Sequence, residues 1–332
     1  MTLKFGSLIL PSKVLCAPMA GCTNLTWRRA LKRYNPGLIY CEMVKMEALV
    51  RADPNTYHLL DYETGMHPIG AQLCGSNPAI AAEAAQMIEE LGFDVLDLNC
   101  GCPVDKVTKD GSGSGMLQNP GLIGEMIYKM VNAVSIPVTL KIRAGWCEKS
   151  INGPEIVTIA EQAGAKAVAI HGRTRAQGYK GPANWDWIKE CKASAKEIKI
   201  IANGDINDAS AALAAFEETG CDAVLLARGL LGRPWLIEDI QRALDGLPPL
   251  DRSYDQYQSI LLEHLDDIDA YASDRKALVE LRRIGCWYLR KGHGAKALRD
   301  ALNKAASTNE ARNLITSYDW SQVKLEHETC VA

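Results

Sequence analysis

The sequence has no run approaching the ~18 consecutive apolar residues that a membrane span requires. Its start, MTLKFGSLILPSKVL, carries a short apolar run and no small-residue cleavage site, so it does not read as a signal peptide. The expectation is a cytoplasmic protein with no membrane attachment. A strong charge of one sign is also missing: 37 basic against 40 acidic side chains leave a net −3, so bulk charge does not advertise nucleic acid. No low-complexity tract is present. Cysteine is not scarce, with eleven, but the arrangement that would make it structural is absent. The count is odd, most sit singly within apolar segments as small hydrophobes do, and reduced thiols are expected. Cys100 and Cys102 are only one residue apart, closer than the C-x₂₋₄-C pairs of zinc sites, and no second pair or histidine cluster follows. No metal is expected.

What is present is rhythm. The 332 residues are 47% hydrophobic, enough for a large domain and an appendage. Eight short apolar runs alternate with helix-length amphipathic segments: Val14–Met19, Leu38–Glu42, Ile69–Leu73, Val95–Asn99, Val138–Ile142, Ala167–His171, Ile198–Asn203 and Ala223–Arg228. Between them lie helical patterns such as NPAIAAEAAQMIEELG and NDASAALAAFEETG. Alternation of this kind means a parallel sheet covered by helices, and eight units over about 245 residues fit a TIM (β/α)₈ barrel. An open doubly wound sheet would want Gly-x-Gly-x-x-Gly after its first strand, which APMAGCTN does not supply. Near Leu247-Pro248-Pro249-Leu250 the alternation stops, and only helical patterns follow. The expected organisation is a barrel over 1–248 and a small all-helical domain over 249–332.

The ends of the runs carry the chemistry. Met19, Glu42, Gln72, Asn99, Lys141, His171, Asn203 and Arg228 fall at or near the carboxyl end of a run. Unpaired polar groups cost several kcal/mol in an apolar interior, whereas the C-terminal mouth of a barrel can satisfy them with ligand. ANGDI and LARGLLGRPW follow runs seven and eight, where such barrels often hold a phosphate, and Gly204, Gly229 and Gly232 allow close backbone approach. Tight turns would also use these glycines, but both loops in the right order favour the phosphate. With phosphate at one side, Gln72 and Asn99 can read amide-like edges, and Lys141 and His171 can face an electron-rich ring. That combination suits flavin mononucleotide (FMN).

Together LCAPMAGCTN, GAQLCG, DLNCGCP, LKIRAGW, HGRT, ANGDI and GRPW resemble the flavin-dependent tRNA-dihydrouridine synthases, above all the bacterial B-type enzymes. The likeness runs from the first strand to about Trp235, and the helical tail fits the family's RNA-binding domain. It implies that Pro18, Met19 and Ala20 line the flavin, that Gln72 and Lys141 hold its ring with His171 beside it, and that Asn203, Gly204, Asp205, Ala227 and Arg228 take its ribityl and phosphate end. Asn99 would bind the target uracil, and Cys102 would be the proton donor. NADPH would visit transiently as reductant. Ala227 departs from the family's usual glycine, and Cys100 receives no role.

The chemistry explains a cysteine. Reduction of uracil places hydride on C6 and a proton on C5, and a thiol with pKa ~8.5 is mostly protonated at neutral pH yet acidic enough to serve. The base must leave its stack, so RNA has to be held alongside. Residues 275–299 carry Arg275, Lys276, Arg282, Arg283, Arg290, Lys291, Lys296 and Arg299 against the single acid Glu280, with Trp287 and Tyr288 among them. That is the footprint expected for tRNA. Arg282, Arg283, Arg290, Lys291, Arg143 and Arg173 are accordingly expected to contact substrate. A flavin barrel acting on a free pyrimidine, like the dihydroorotate dehydrogenases, and an RNA-binding protein without catalysis remain the alternatives. No protein partner is indicated.

Overall fold

The computed structural model describes residues 2–290 and 294–323. Lys291, expected to contact RNA, and Cys330 lie outside the described residues. Ten strands occur among them: β1 Leu3–Phe5, β2 Leu8–Leu10, β3 Val14–Cys16, β4 Leu38–Lys45, β5 Ile69–Cys74, β6 Val95–Cys100, β7 Val138–Arg143, β8 Ala167–His171, β9 Lys199–Asn203 and β10 Ala223–Leu226. The last eight close into a barrel, in the order β10-β3-β4-β5-β6-β7-β8-β9, with every pair parallel. Each of the eight expected runs contributes one barrel strand. The fold is the expected TIM barrel, followed among the described residues by helices.

Side chains alternate across each strand. On β6, Leu96, Leu98 and Cys100 face the surrounding helices, while Val95 belongs to the barrel interior. The same parity turns Asp97 and Asn99 inward. The lower interior is apolar, built from residues such as Leu15, Leu38, Tyr40, Ala167, Ile201 and Leu225. The antiparallel hairpin of β1 and β2 adds Leu3, Phe5 and Leu10 to that cluster and so closes the N-terminal end of the barrel. With the bottom filled, the barrel opens at its C-terminal mouth.

Strand β4 continues three residues past the expected run, through a register shift between Tyr40 and Met43. Its extension brings Lys45 to Asp110 (2.7 Å) and ties it to the segment that follows β6. Helix Ala209–Thr219 takes its N-cap from Asp208, which accepts from the Ala211 amide, and ends at Gly220 with φ +65°. Asn207 is thereby left to face the mouth.

After the barrel, helices Tyr254–Tyr271, Asp274–Tyr288, Lys296–Lys304 and Thr308–Ser317 bury Leu265, Ile268, Leu281, Ile284 and Ile315 in a core of their own. They are seated on the barrel by an aromatic junction. Trp27 stacks on His264 at 5.3 Å between ring centroids and meets Trp287 edge-on at 5.7 Å. Glu280 accepts from Thr26 (2.5 Å) and from Asn24, the N-cap of the first barrel helix. The lone acid of the basic stretch is therefore a strut between the two cores. Among the described residues no helix is long and apolar enough to cross a membrane.

Candidate active site

A cavity of about 650 Å³ opens at the C-terminal mouth, within the range of ligand pockets. Pro18, Met19 and Ala20, from the loop after β3, line one wall. Gln72, Asn99, Lys141, Arg143, His171 and Asn203 reach it from consecutive strands β5 to β9. Gly204 and Asp205 follow β9, Ala227 and Arg228 follow β10, and Cys102 follows β6; all five border the same space. Parallel strands in register explain the convergence: Asn99 pairs with Lys141, Arg143 with His171, and His171 with Asn203.

The two cysteines of DLNCGCP part company. Cys100 is buried on the helix side of β6, its sulfur 3.8 Å from that of Met116, and burial pushes its thiol well above the ordinary range. Cys102 is half-buried at the cavity wall. The Asn99 side-chain oxygen, Oδ1, accepts from the amides of Gly101 (3.2 Å) and Cys102 (2.9 Å), which pins the loop. Ser114 holds it from the other side, donating its amide (3.0 Å) and hydroxyl (2.9 Å) to the Cys102 carbonyl. Gly113 lies directly beneath: a Cβ there would sit 2.9 Å from that carbonyl.

The loops after β9 and β10 pack as a cradle. Gly204 has φ +110°, and a Cβ on it would meet Ala183 and the His171 ring at 2.9 Å; one on Gly229 would lie 2.8 Å from the Ile206 carbonyl. Ala227 has φ −129°, outside the left-handed region that demands glycine, so its departure from the family pattern carries no such penalty. The Arg228 side chain is 51% exposed and spans the opening, 4.9 Å from the centre of the Tyr179 ring.

Positive charge dominates the site. The Lys141 ammonium has neither a hydrogen bond nor an ion pair among the described residues, and burial, with Arg143 nearby, pushes its pKa down to about 8. Burial holds the His171 ring far below its ordinary value, helped by Lys141, Arg143, Arg173 and Arg228, so it is neutral at physiological pH. A half-buried ammonium with no acceptor among the described residues, beside a cradle of closely approached glycines, suits an electron-rich, anionic ligand. FMN meets both requirements: a carbonyl-bearing ring and a phosphate.

A family model described as dihydrouridine synthase (Dus) matches residues 15–324. "Probable tRNA-dihydrouridine synthase 1" of Synechocystis sp. is 38% identical over 317 residues, covering 94% of this chain and 88% of that protein. "tRNA-dihydrouridine synthase B" of Pseudomonas aeruginosa is 37% identical over 311 residues, covering 92% of each. The chain belongs to the dihydrouridine synthase family. Among solved structures, morphinone reductase in complex with tetrahydroNAD superposes with a TM-score of 0.53 at 15% identity, over 77% of this chain and 93% of that one, a likeness of fold.

Several arginines expected to contact RNA have hydrogen-bond partners within the protein. Arg143 is buried and donates to the carbonyls of Gly101 (2.9 Å), Thr174 (2.9 Å) and Gly178 (2.7 Å), bracing the Cys102 loop against the loop after β8. Arg173 is 3% exposed and bonded to Asp205 at 2.6 Å and to the Gly181 carbonyl, so it shapes the cradle rather than the outer surface. Arg282 donates to the Ala305 carbonyl (2.7 Å). Arg283 donates to the Gly21 carbonyl in the cavity-lining loop and stacks 5.0 Å from the Trp287 ring centre. Exposed basic groups in the helical region include Arg275, Lys276, Arg290 and Lys296.

Several cavity residues were not anticipated, among them Tyr179, Cys22 and Asn207. Tyr179 is 59% exposed and sits between Arg143 and Arg228; an aromatic inside the basic loop RTRAQGYK was its only sequence signal. Cys22 is a second thiol at the wall, and burial raises its pKa. Asn207 emerges because Asp208 takes the capping role.

Proposed function

We propose that the chain reduces the C5=C6 bond of uridines in tRNA to 5,6-dihydrouridine, using FMN held at the barrel mouth and NADPH as the reductant that visits it. The observation that carries this reading is the cavity itself, which faces a half-buried thiol, Cys102, with an unpartnered ammonium, Lys141, beside a glycine-lined cradle. Gln72 and Lys141 would hold the flavin ring, with His171 beside it and Pro18, Met19 and Ala20 along its wall. Asn203, Gly204, Asp205, Ala227 and Arg228 would take the ribityl and phosphate end. Reduced flavin bound there supplies hydride to C6 of the base.

The protein's own part is binding and proton delivery. Cys102 would give its proton to C5 of the base. The sulfur is then left as thiolate, and both Lys141 and Arg143 interact favourably with charge on it. Those two cations limit the cost of leaving an anion in a water-poor pocket. Neutral His171 does not add a competing acid. Asn99 would bind the uracil, and its side-chain oxygen fixes the Cys102 backbone. We assign residues 1–248 to the chemistry and 249–332 to tRNA, with Arg275, Lys276, Arg290 and Lys296 among the phosphate contacts.

The test is purified yellow protein with NADPH offered an unmodified tRNA transcript, free uracil and orotate. Dihydrouridine in the tRNA and no turnover of the free bases is the expected result. Turnover of a free pyrimidine with none on tRNA, or colourless protein that takes up no flavin, would overturn it.

A further inference from the structure

Asp97 is a carboxylate that no step above uses. It lies inside the barrel one layer below the cavity, 3% exposed and absent from the cavity wall. Its Oδ2 accepts from Gln72 Nε2 (2.7 Å) and its Oδ1 from the Thr139 hydroxyl (2.6 Å). Gln72 Oε1 accepts from Asn99 Nδ2 (2.7 Å), and Asn99 Oδ1 accepts from the amides of Gly101 and Cys102. On the other side the Tyr40 hydroxyl lies 3.4 Å from Thr139 Oγ1.

The polarity of this chain is forced from one end. Backbone N–H groups only donate, so Asn99 must turn its oxygen to the loop and its NH₂ to Gln72. Gln72 must then turn its oxygen to Asn99 and its own NH₂ to position 97. Thr139 spends its single proton on Asp97, so Tyr40 is the donor to Thr139. Donations run inward from both directions and converge on one side chain. Only an acceptor can end such a chain, and a buried carboxylate is the acceptor with two oxygens to offer.

We propose that Asp97 is a positioning residue: it fixes the amide orientation of Gln72 and Asn99, and through Asn99 it holds the loop that presents Cys102. This deepens the reading of Cys102 as the acid and rests on it for its catalytic meaning. The orientation also decides what Gln72 shows to a ligand, namely its second N–H rather than its oxygen. Burial raises the Asp97 pKa to about 6, so the carboxylate is ionised at neutral pH. A protonated or amide side chain at 97 can still accept from Gln72 with one oxygen, provided Thr139 turns its hydroxyl to Tyr40. An apolar side chain cannot.

The experiment compares Asp97→Leu with Asp97→Asn by hydrogen exchange across residues 99–103 in RNA-free protein, alongside the single-turnover rate on tRNA. Leu should raise exchange of the Gly101 and Cys102 amides at least tenfold and slow turnover by a similar factor, with the tRNA dissociation constant unchanged. Asn should stay within threefold of the parent in exchange. Should the Leu variant fail to fold, Asp97→Ala reads the same two quantities. Parent-like exchange in the apolar variants would overturn the proposal, and so would equal loosening by Asn and Leu. Because exchange is read without RNA, it judges Asp97 separately: if the parent protein forms no dihydrouridine, the reading of the site fails while the positioning role is still decided.

Discussion

Gly113→Ala isolates the geometry of the Cys102 loop from its chemistry. Gly113 has φ +58°, and a Cβ there would lie 2.8 Å from Val107 Cγ1, 2.9 Å from the Cys102 carbonyl oxygen and 3.3 Å from Cys102 Cβ. Restoring ordinary contact needs a shift of about 0.5 Å, since non-bonded heavy atoms settle near ~3.5 Å. The carbonyl cannot retreat freely, because it accepts both the amide and the hydroxyl of Ser114. The left-handed backbone adds about 1–2 kcal/mol for any residue with a Cβ, or a fall in Tm of roughly 2–8 °C at ~2–4 °C per kcal/mol. A misplacement of ~1 Å can cost ~10²-fold in rate, so half of that predicts about a tenfold loss of turnover. Gly111→Ala is the control: it shares a positive φ, +80°, but its Cβ would find only Ser76 at 3.7 Å. Thermal melts and single-turnover reduction of tRNA give both quantities. If Gly113→Ala melts early yet turns over within twofold of the parent, loop geometry does not set the rate and the reasoning is refuted.

Lys141 ties flavin binding to pH. Its folded pKa of about 8 lies below the free value of 10.5, so between those two values the unfolded chain binds more protons and stability of the flavin-free protein rises with pH. Seating a carbonyl and phosphate ligand draws the proton back, so binding FMN near pH 8 should take up protons; calorimetric enthalpies identical in buffers of different ionisation heat would contradict this. Changing Lys276 and Arg290 together to Gln should flatten the salt dependence of tRNA affinity by about two units of log–log slope, while flavin content stays at the parent level; an unchanged slope would place the RNA elsewhere. Glu280→Ala removes the shared acceptor of Asn24 and Thr26 and should cost about 1.5–3 kcal/mol, read as an earlier melt; an unaltered melt would mean that the strut carries no stability.

The architecture was legible because the eight apolar runs and the helical segments between them differ in period, and because polar groups recur where the runs end. Gln72, Asn99, Lys141, His171 and Asn203 could be found that way: alternation along a strand puts a whole set on one face, and parallel register lines the sets up. Asp97 sits two residues before Asn99 on the same face, yet a polar residue inside VLDLN gives no sign of how deep it lies or what it accepts. The partners of two arginines were hidden for a related reason. Arg143 and Arg173 have the composition of an RNA patch, but loop carbonyls and Asp205 claim them, and those partners come from distant segments. Arg282 and Arg283 face the same limit, since helical spacing identifies a face without saying whether it meets solvent or the barrel. The closing hairpin of β1 and β2, with three residues in each strand, is too short to show a period.

Three thiols near the mouth permit one direct comparison: dihydrouridine formed in a single turnover by Cys102→Ala, Cys100→Ala and Cys22→Ala, each loaded with flavin. Loss of a positioned general acid should lower the Cys102 variant by about 10²–10⁴-fold, with the other two within a few-fold of the parent. A Cys102 variant that forms dihydrouridine at the parent rate would contradict the account.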